Sequence, residues 1–183
     1  MKILVPLAEG FEEIEAITII DVLRRADIGV VTAFLDKNPV TGSHGIPITA
    51  DRKISDVRAA DFGAMVLPGG MPGSEHLKNS AAVIGLLGEI QAAGGLVGAI
   101  CAAPMVLGHA GLLAGKKATC FPGMDTELKG AVHVDAPVVV DGRIVTGKGP
   151  ACAIPFALEI VGILGGGNLK DALRTNLQVY WKM

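Results

Sequence analysis

Short apolar runs alternate along the chain with segments in which apolar residues recur every three or four positions. The runs show no apolar–polar alternation, so they predict strands that are buried on both faces, as in a parallel sheet. The predicted strands cover residues 2–7, 28–35, 46–50, 63–67, 96–100, 116–119, 132–134, 137–140 and 143–146. The helical spacing predicts helices between 8 and 27, over 74–93, directly after 101, over 151–164 and over 169–173.

The order of the predicted elements is mainly strand, helix, strand, with one late hairpin through Asp141 and Gly142. An Asp-Gly pair between two apolar runs favours a two-residue hairpin turn. This order is typical of an α/β doubly wound, mostly parallel sheet with helices on both faces and right-handed crossovers. We expect residues 1–183 to form a single domain, because no segment resembles a linker and the triple glycine at 165–167 lies too near the end to separate domains.

Composition and charge narrow the classes of partner and location. Hydrophobic residues make up 50% of the chain and aromatic residues only 4%, so we expect an aliphatic interior. The formal net charge of -2 gives no electrostatic reason to expect nucleic acid or an anionic membrane as a partner. No apolar run reaches the roughly 18 residues of a membrane span, and acidic residues follow the start too early for a signal peptide, which predicts a cytoplasmic protein.

The cysteines and histidines form no recognisable disulfide or metal pattern. Cys101, Cys120 and Cys152 are too few and too scattered for a disulfide framework. They form no CxxC pair, and the four histidines stand apart from one another in sequence. We therefore expect no metal and no other cofactor, unless the fold itself assembles a metal site.

The stretch from Gly94 to Leu107 carries the candidate nucleophile. Its apolar run ends at Cys101, and small residues and Pro104 follow before the next helix. This pattern predicts a sharp strand-to-helix turn with Cys101 at its apex, a nucleophile elbow with cysteine in place of serine. Backbone N–H groups and the positive end of the helix dipole would favour a thiolate there. The alternative is a small buried core residue, as most free cysteines are.

A second strand end carries two glycines, and in doubly wound folds the strand ends meet in one crevice. Gly69 and Gly70 follow the strand over 63–67. Because they lack side chains, their N–H groups can approach a ligand closely. Together with the N–H of Ala102 they would form an oxyanion site for addition at Cys101. The alternative is a Pro-Gly-Gly turn with no further role.

Three glutamates open the first predicted helix. Acidic residues there complement the helix dipole, which explains Glu12 and Glu13. Glu15 has apolar neighbours and admits a second interpretation, a partly buried carboxyl group with a raised pKa. Against Cys101, a protonated Glu15 would donate a hydrogen bond that favours the thiolate, whereas an ionised Glu15 would repel it. None of the four histidines has a compelling position as a base.

Several segments together resemble the ThiJ/PfpI superfamily and, within it, the Parkinson disease protein 7 branch. They occur in family order over nearly the whole chain: AEGFEEIE (8–15) with DVLRRAD (21–27), VLPGG (66–70), AICAAP (99–104) and GKGPACAIPFALEIV (147–161). The resemblance implies a flavodoxin-like fold and a homodimer. It implies these roles: Cys101 as oxidation-prone nucleophile, Glu15 as its protonated partner, the amides of Gly69, Gly70 and Ala102 lining the site, and Arg25 near the dimer interface.

Two departures from the family pattern bear on the chemistry. Phe121 stands where the animal members carry a histidine, so a histidine-assisted proton transfer is in doubt and Glu15 would have to serve. Ala102 stands where the protease-like branch has a histidine, which argues against a peptidase. Cys120, next to Phe121, is either a resolving thiol or a small apolar filler.

The resemblance implies a cysteine-dependent, cofactor-free protein of oxidative and carbonyl stress defence. The implied activities are conversion of methylglyoxal or glyoxal to hydroxy acids, and reversal of early glycation adducts, by a Cys101 thiolate with Glu15 as proton shuttle. The partner would then be a small reactive carbonyl compound or a glycated protein. The alternatives are a non-enzymatic redox sensor that acts through oxidation of Cys101, and a chaperone that acts through exposed apolar surface.

Overall fold

The computed structural model describes residues 1–180. The strands are β1 (Lys2–Leu7), β2 (Gly29–Phe34), β3 (Val40–Thr41), β4 (Pro47–Ile48), β5 (Arg52–Lys53), β6 (Ala64–Leu67), β7 (Leu96–Ile100), β8 (Lys117–Ala118), β9 (Val132–His133), β10 (Val138–Asp141) and β11 (Ile144–Gly147). The helices are α1 (Glu13–Arg25), α2 (Gly73–Asn79), α3 (Ala81–Ala92), α4 (Pro104–His109), α5 (Ala153–Gly165) and α6 (Gly167–Asn176).

The central sheet has the strand order β10-β11-β7-β6-β1-β2-β5. Its neighbouring strands are parallel except for β10 and β11, which form the predicted late hairpin. From β1 the chain runs outward through β2 to β5 and then returns to β6 on the other side of β1. Open α/β sheets form a crevice at such a switch point, beyond the carboxyl ends of the strands. The predicted flavodoxin-like α/β fold is confirmed, and the segments that follow β1 and β6 meet at this crevice.

Aliphatic cores cover both faces of the sheet. On one face, α1, α5 and α6 pack over alternate residues of β1 such as Ile3 and Val5. Leu4 belongs instead to the core beneath α2, α3 and α4 on the other face. These three side chains are fully buried, and such burial contributes about 1.5–3 kcal/mol per side chain. The ends of the strands are therefore attached to a well-packed sheet, which fixes the positions of the loops that follow them.

One predicted helix, over 74–93, is two helices in the structure. α2 ends at Asn79 and α3 begins at Ala81. Between them, Ser80 has an extended backbone, and its hydroxyl accepts a hydrogen bond from the N–H of Val83 at 3.4 Å. A serine that caps a new helix start in this way interrupts a helical pattern that apolar spacing alone predicts to be continuous.

The short strands differ from the prediction. The strand predicted over 46–50 is limited to β4, which forms a small antiparallel hairpin with β3. The two residues of β5, which were not predicted, extend the edge of the central sheet beside β2. The strands predicted over 116–119 and 132–134 shrink to β8 and β9, which pair with each other outside the central sheet. Strands of two residues are too short to produce a periodic pattern.

Helix α1 buries a different set of side chains from the one that its apolar pattern suggests. Ile14 and Ile17 are 58% and 48% exposed, whereas Glu13 and Glu15 are buried. Ala16, Ile19 and other apolar residues of α1 form its buried face. The helix therefore leaves an apolar strip uncovered and directs two carboxyl groups inward, near the carboxyl edge of the sheet.

The C-terminal helices meet at the triple glycine. Gly166 has a φ of 91°, which ends α5, and α6 then runs to Asn176, beyond the predicted range of 169–173. A positive φ is easy only for glycine, so this residue fixes the change of direction. Within residues 1–180, every helix is too short or too polar to cross a lipid bilayer.

Candidate active site

Cys101 occupies the apex of a sharp turn between β7 and α4. Its φ of 63° lies in the left-handed region, which is unfavourable for a residue with a side chain. Two hydrogen bonds hold this turn. The Cys101 N–H donates to the carbonyl of Gly147 at 2.9 Å, and the Cys101 carbonyl accepts from the N–H of Phe121 at 2.8 Å. The strand-to-helix turn predicted for a nucleophile elbow is present, with Cys101 8% exposed.

Glu15, in the first turn of α1, is fully buried beside this cysteine. Its Oε2 accepts a hydrogen bond from the N–H of Gly69 at 2.7 Å, and its carboxyl group forms a side-chain hydrogen bond with Cys101. The other oxygen, Oε1, is buried and receives no backbone N–H or hydroxyl donor from the described residues. A buried carboxylate oxygen without a donor is costly, so this environment favours the protonated carboxyl group.

Gly69 lies directly between the acid and the nucleophile. A Cβ at this position would lie 2.7 Å from Oε2 of Glu15, 2.7 Å from Cβ of Cys101 and 2.8 Å from the carbonyl oxygen of Ile100. Real Cβ atoms do not approach other atoms this closely, so any side chain here would push Glu15 and Cys101 apart. Glycine is required at position 69 because it allows the two groups to touch.

The backbone amides at the site have different partners from those predicted. The N–H groups of Gly70 and Ala102 form hydrogen bonds with the Cys101 sulfur. The N–H of Gly69 is instead occupied by Glu15. Two of the three amides predicted to bind an oxyanion thus face the Cys101 sulfur, and the Gly69 amide positions the acid. The partner of each amide could not be predicted from the sequence, because adjacent glycines in a turn direct their N–H groups in different directions.

The pKa values of the two side chains depend on their shared burial. Burial raises the pKa of Glu15 to about 7, although the hydrogen bond from Gly69 acts against this increase. Burial, and then the negative charge of Glu15, raise the pKa of the Cys101 thiol to about 12, against the amides of Gly70 and Ala102. The sequence predicts conditions that favour the thiolate, and this prediction is wrong because burial and the charge of Glu15 raise the pKa of the thiol. The short α4 and two amides stabilise the thiolate less than burial and a neighbouring carboxylate destabilise it.

Cys101 and Glu15 are therefore arranged to hold one negative charge between them rather than two. A proton on Glu15 removes the repulsion and lets the carboxyl group donate a hydrogen bond to the thiolate. A proton on sulfur leaves the charge on the carboxylate, which the Gly69 amide stabilises. The two states differ by the position of one proton, so the residues titrate as a pair. Such a pair can deliver and recover a proton near neutral pH, as nucleophilic addition followed by proton transfer requires.

Two auxiliary residues predicted from the sequence lie outside this contact. Cys120 is buried in the core on the face of the sheet opposite to the core that Cys101 joins, and burial raises its pKa to about 11. Its surroundings support the apolar-filler interpretation rather than a resolving thiol. Arg25 lies near the end of α1, where its Nε is 2.6 Å from Oδ2 of Asp21 in an exposed ion pair. Arg25 is therefore a residue of the outer face of α1.

A polar cluster that the sequence does not predict lies at the start of α1. Glu13 accepts hydrogen bonds from the backbone N–H groups of His44 at 2.7 Å and Ile46 at 3.3 Å. Nδ1 of His44 is also 3.0 Å from Oε2 of Glu13 and 3.6 Å from Oε2 of Glu12. Ligand atoms of Glu12, Glu13 and His44 lie within 4.8 Å of one another, a spacing that could hold a metal ion. As these contacts stand, they fix the β3–β4 hairpin onto α1. No sequence motif links positions 13 and 44.

The family is clear from comparison with known proteins. The model of the DJ-1/PfpI family matches residues 1–163. The chain belongs to the DJ-1/PfpI family. Membership confirms the resemblance on which the sequence-based expectations rest, and it is consistent with a role in oxidative stress.

Individual relatives agree with the family model. Protein DJ-1 homolog B of Arabidopsis thaliana is 41% identical over 162 residues, which are 87% of this chain but only 37% of the relative's length. The Parkinson disease protein 7 homolog of Danio rerio is 35% identical over 181 residues, 96% of each chain. The solved structure of oxidized Toxoplasma gondii DJ-1 superposes with a TM-score of 0.94 at 38% identity and covers 98% of this chain and 99% of its own. The chain thus spans well under half of the Arabidopsis relative and nearly all of the other two.

Proposed function

We propose that the protein is a cysteine-dependent enzyme of carbonyl stress defence that converts methylglyoxal or glyoxal to hydroxy acids without a cofactor. The observation that carries this proposal is the contact of Cys101, on its strained turn, with a buried Glu15 whose pKa is raised to about 7. A nucleophile and a proton carrier in direct contact are the two groups that this reaction requires.

The chemistry begins with addition of the Cys101 thiolate to the aldehyde carbon. A carbon–sulfur bond forms, and the carbonyl electron pair moves to oxygen, where the amides of Gly70 and Ala102 are available as donors. Protonated Glu15 then transfers its proton to this oxygen and gives a neutral hemithioacetal. The donor arrangement is preorganised, because both amides belong to the turns that hold Cys101 and Gly69.

The second stage moves hydrogen within the substrate. Glu15, now a carboxylate, removes the proton from the former aldehyde carbon and returns it to the neighbouring ketone carbon by way of an enediol. The product is a thioester of a 2-hydroxy acid, and one water molecule hydrolyses it to release the acid and free Cys101. The ketone carbon is reduced and the aldehyde carbon is oxidised, so no external oxidant or reductant is consumed. An early glycation adduct first loses its protein amine or thiol, which leaves with the hydroxyl proton as the carbonyl reforms, and the released aldehyde then reacts with Cys101 in the same way.

Hydroxy-acid formation from methylglyoxal tests this function. We expect Cys101→Ser to reduce the rate to background and Glu15→Gln to reduce kcat by about 100-fold, within the range for loss of a general acid–base group. Cys152→Ser is the matched control, because Cys152 is a free, partly buried cysteine that is not among the groups that shift the pKa of Glu15, and it should retain the wild-type rate. Undiminished turnover by Cys101→Ser, or no hydroxy acid from the wild-type protein, would overturn the proposal.

A non-enzymatic redox sensor is the second candidate function. The observation that favours it is that a relative with 38% identity, Toxoplasma gondii DJ-1, has been solved in an oxidized form. Two equivalents of peroxide would oxidise Cys101 to the sulfinic acid with release of two water molecules, and Glu15 would donate a hydrogen bond to the product. A mass gain of two oxygens at Cys101 under mild peroxide, with no aldehyde turnover, would support the sensor over the enzyme.

A homodimer and a cytoplasmic location belong to the same proposal. Ile14 and Ile17 are exposed on α1, and Asp21 and Arg25 follow at helical spacing on the same side of the helix. A second copy would cover this apolar strip. Sedimentation should show a dimer for the wild-type chain and a monomer for Ile17→Glu. A monomeric wild-type chain would exclude the proposed homodimer. A reducing compartment would keep Cys101 as a thiol.

A further inference from the structure

Phe121 is held next to the nucleophile by its backbone. Its N–H donates to the carbonyl of Cys101 at 2.8 Å. Two residues earlier, the N–H of Thr119 donates to the hydroxyl of Thr146 on β11 at 2.9 Å. Cys120 between them is buried. The segment 119–121 is therefore attached both to the turn that carries Cys101 and to the adjacent strand, so the position of Phe121 is fixed relative to the thiol.

The ring of Phe121 is partly exposed and lies against the loop that follows β11. The side chain is 45% exposed, while its Cδ2 and Cε2 lie 3.5 and 3.8 Å from the position of a Cβ on Gly149. Gly149 comes two residues after Gly147, whose carbonyl accepts the Cys101 N–H. The ring thus extends from the turn of Cys101 across the loop that follows β11. Cys101 itself is almost covered, so the ring is the more exposed apolar surface of the two.

The charge beside the ring is already paired. Lys148 precedes Gly149, and its ammonium group lies 2.5 Å from Oδ1 of Asp135. Half-exposed aromatic surface gains free energy when a ligand covers it, at roughly 25 cal/mol for each Å² removed from water. A substrate group that rests on this ring is therefore favoured when it is apolar.

We propose that Phe121 forms an apolar wall of the substrate site and makes the protein prefer electrophiles with an aryl or branched alkyl substituent, such as aryl-substituted α-oxoaldehydes, over methylglyoxal. The preference for such aldehydes as substrates rests on the proposed function, whereas the wall itself does not. In the bound aldehyde the carbonyl carbon lies at Cys101 and the substituent on the ketone carbon lies against the ring. The substituent adds contact area without changing the chemistry at sulfur, so Phe121 determines specificity and takes no part in proton transfer.

Competing turnover of phenylglyoxal and methylglyoxal measures the preference. We expect the ratio of their kcat/KM values to favour phenylglyoxal in the wild-type protein and to fall by about 10-fold in Phe121→Ala, with Phe121→Leu between them. Val140→Ala is the matched control, because Val140 on β10 is 44% exposed, close to the exposure of Phe121, and it should leave the ratio unchanged.

A second measurement keeps the two proposals distinguishable. Alkylation of Cys101 by N-benzylmaleimide and N-methylmaleimide, followed by peptide mass spectrometry, reports the apolar wall without any turnover. We expect the ratio of the two rates to fall in Phe121→Ala by a similar factor. An unchanged alkylation ratio overturns the proposal that Phe121 forms an apolar wall, whether or not the aldehydes are turned over. If wild-type protein converts neither aldehyde but the alkylation ratio falls, the proposed function and the substrate preference are overturned and the wall at Cys101 is supported.

Discussion

Glu13 and Glu15 are two residues apart at the start of α1, both are buried, and their pKa values shift in opposite directions. The pKa of Glu15 is raised to about 7, and that of Glu13 is lowered to about 2. The same helix dipole acts on both, and burial opposes ionisation of both. Burial is deeper for Glu15, which is fully buried, and this accounts for part of the difference.

The two carboxyl groups differ in the number of donors that reach them. Glu13 receives the N–H of His44, the N–H of Ile46, the ring of His44 and the hydroxyl of Ser43. These bonds overcome the effect of burial and keep Glu13 ionised. Glu15 receives one backbone N–H, from Gly69, and its other polar contact is the Cys101 thiol. Burial, together with this sparse donor set, leaves Glu15 able to bind a proton near neutral pH.

This difference gives Glu13 a structural role and leaves Glu15 able to take part in proton transfer. Glu13 attaches a loop to the helix in a fixed charge state, whereas Glu15 can exchange a proton with its neighbour. Substitutions that act on one group and spare the other should therefore have different consequences for activity and for stability.

The largest effect is expected from Gly69→Ala. The new methyl group would lie 2.7 Å from both Glu15 and Cys101 in the native positions, which separates the pair and removes the amide from its correct place. We expect turnover to fall by about 100-fold or more, and the free energy of unfolding to fall by about 3 kcal/mol. Kinetics and urea unfolding measure the two effects. Gly85→Ala is the control, because a Cβ there meets open space in α3, and it should be neutral or stabilising by up to about 1 kcal/mol. Equal behaviour of the two variants would contradict the role of Gly69.

Glu15→Gln should change how stability depends on pH. Between pH 4.5 and 7 the unfolded chain has ionised Glu15 while the folded protein still binds its proton, so stability of the wild-type protein falls as pH rises through this window. Glu15→Gln has no ionisable group at position 15, so its stability does not fall for this reason. Its stability relative to wild type should therefore increase by about 2 kcal/mol from pH 4.5 to 7.5, measured by urea unfolding at several pH values. A constant difference across this range would show that Glu15 is ionised throughout.

Glu13→Gln should produce a smaller effect with the opposite pH dependence. The folded pKa of Glu13 is lowered, so its contribution is complete above pH 4.5 and is lost as pH falls toward 2. We expect the variant to be less stable than wild type by about 1–2 kcal/mol at pH 7. The difference should shrink below pH 4.5. Faster hydrogen exchange at the amides of His44 and Ile46 would identify release of the β3–β4 hairpin as the cause, while turnover should fall far less than in Glu15→Gln.

The smallest effect is expected from His44→Gln. The hydrogen bond with Glu13 raises the pKa of His44, so its stabilising contribution is complete below pH 6.5 and is lost as pH rises through the raised pKa. The thermal midpoint of the variant should therefore lie further below wild type at pH 5.5 than at pH 9. Because His44 is exposed, the shift should be small. A larger shift at pH 9 than at pH 5.5 would contradict the ion pair.

The sequence predicted those features that depend on short stretches of chain. The fully apolar runs identified the main parallel strands, and the Asp141-Gly142 pair identified the hairpin. Small residues around Cys101 identified the turn, whereas burial of Glu15 was only one of two interpretations that the sequence left open. These patterns are visible because each depends on a few consecutive residues. By contrast, apolar spacing failed for Ile14 and Ile17, because a helix that leaves an apolar face uncovered has the same pattern as one that buries it.

By itself, then, the sequence determined the α/β layering, the sharp turn at Cys101 and the glycine turn that follows β6. The tertiary structure decided their charge states and partners. Gly69 bonds Glu15 across 54 residues, and His44 bonds Glu13 across 31. A pKa depends on every donor and charge within a few ångströms, and those neighbours come from distant parts of the chain. Local sequence therefore places a carboxyl group on a helix, but only the packed structure decides whether it keeps its proton.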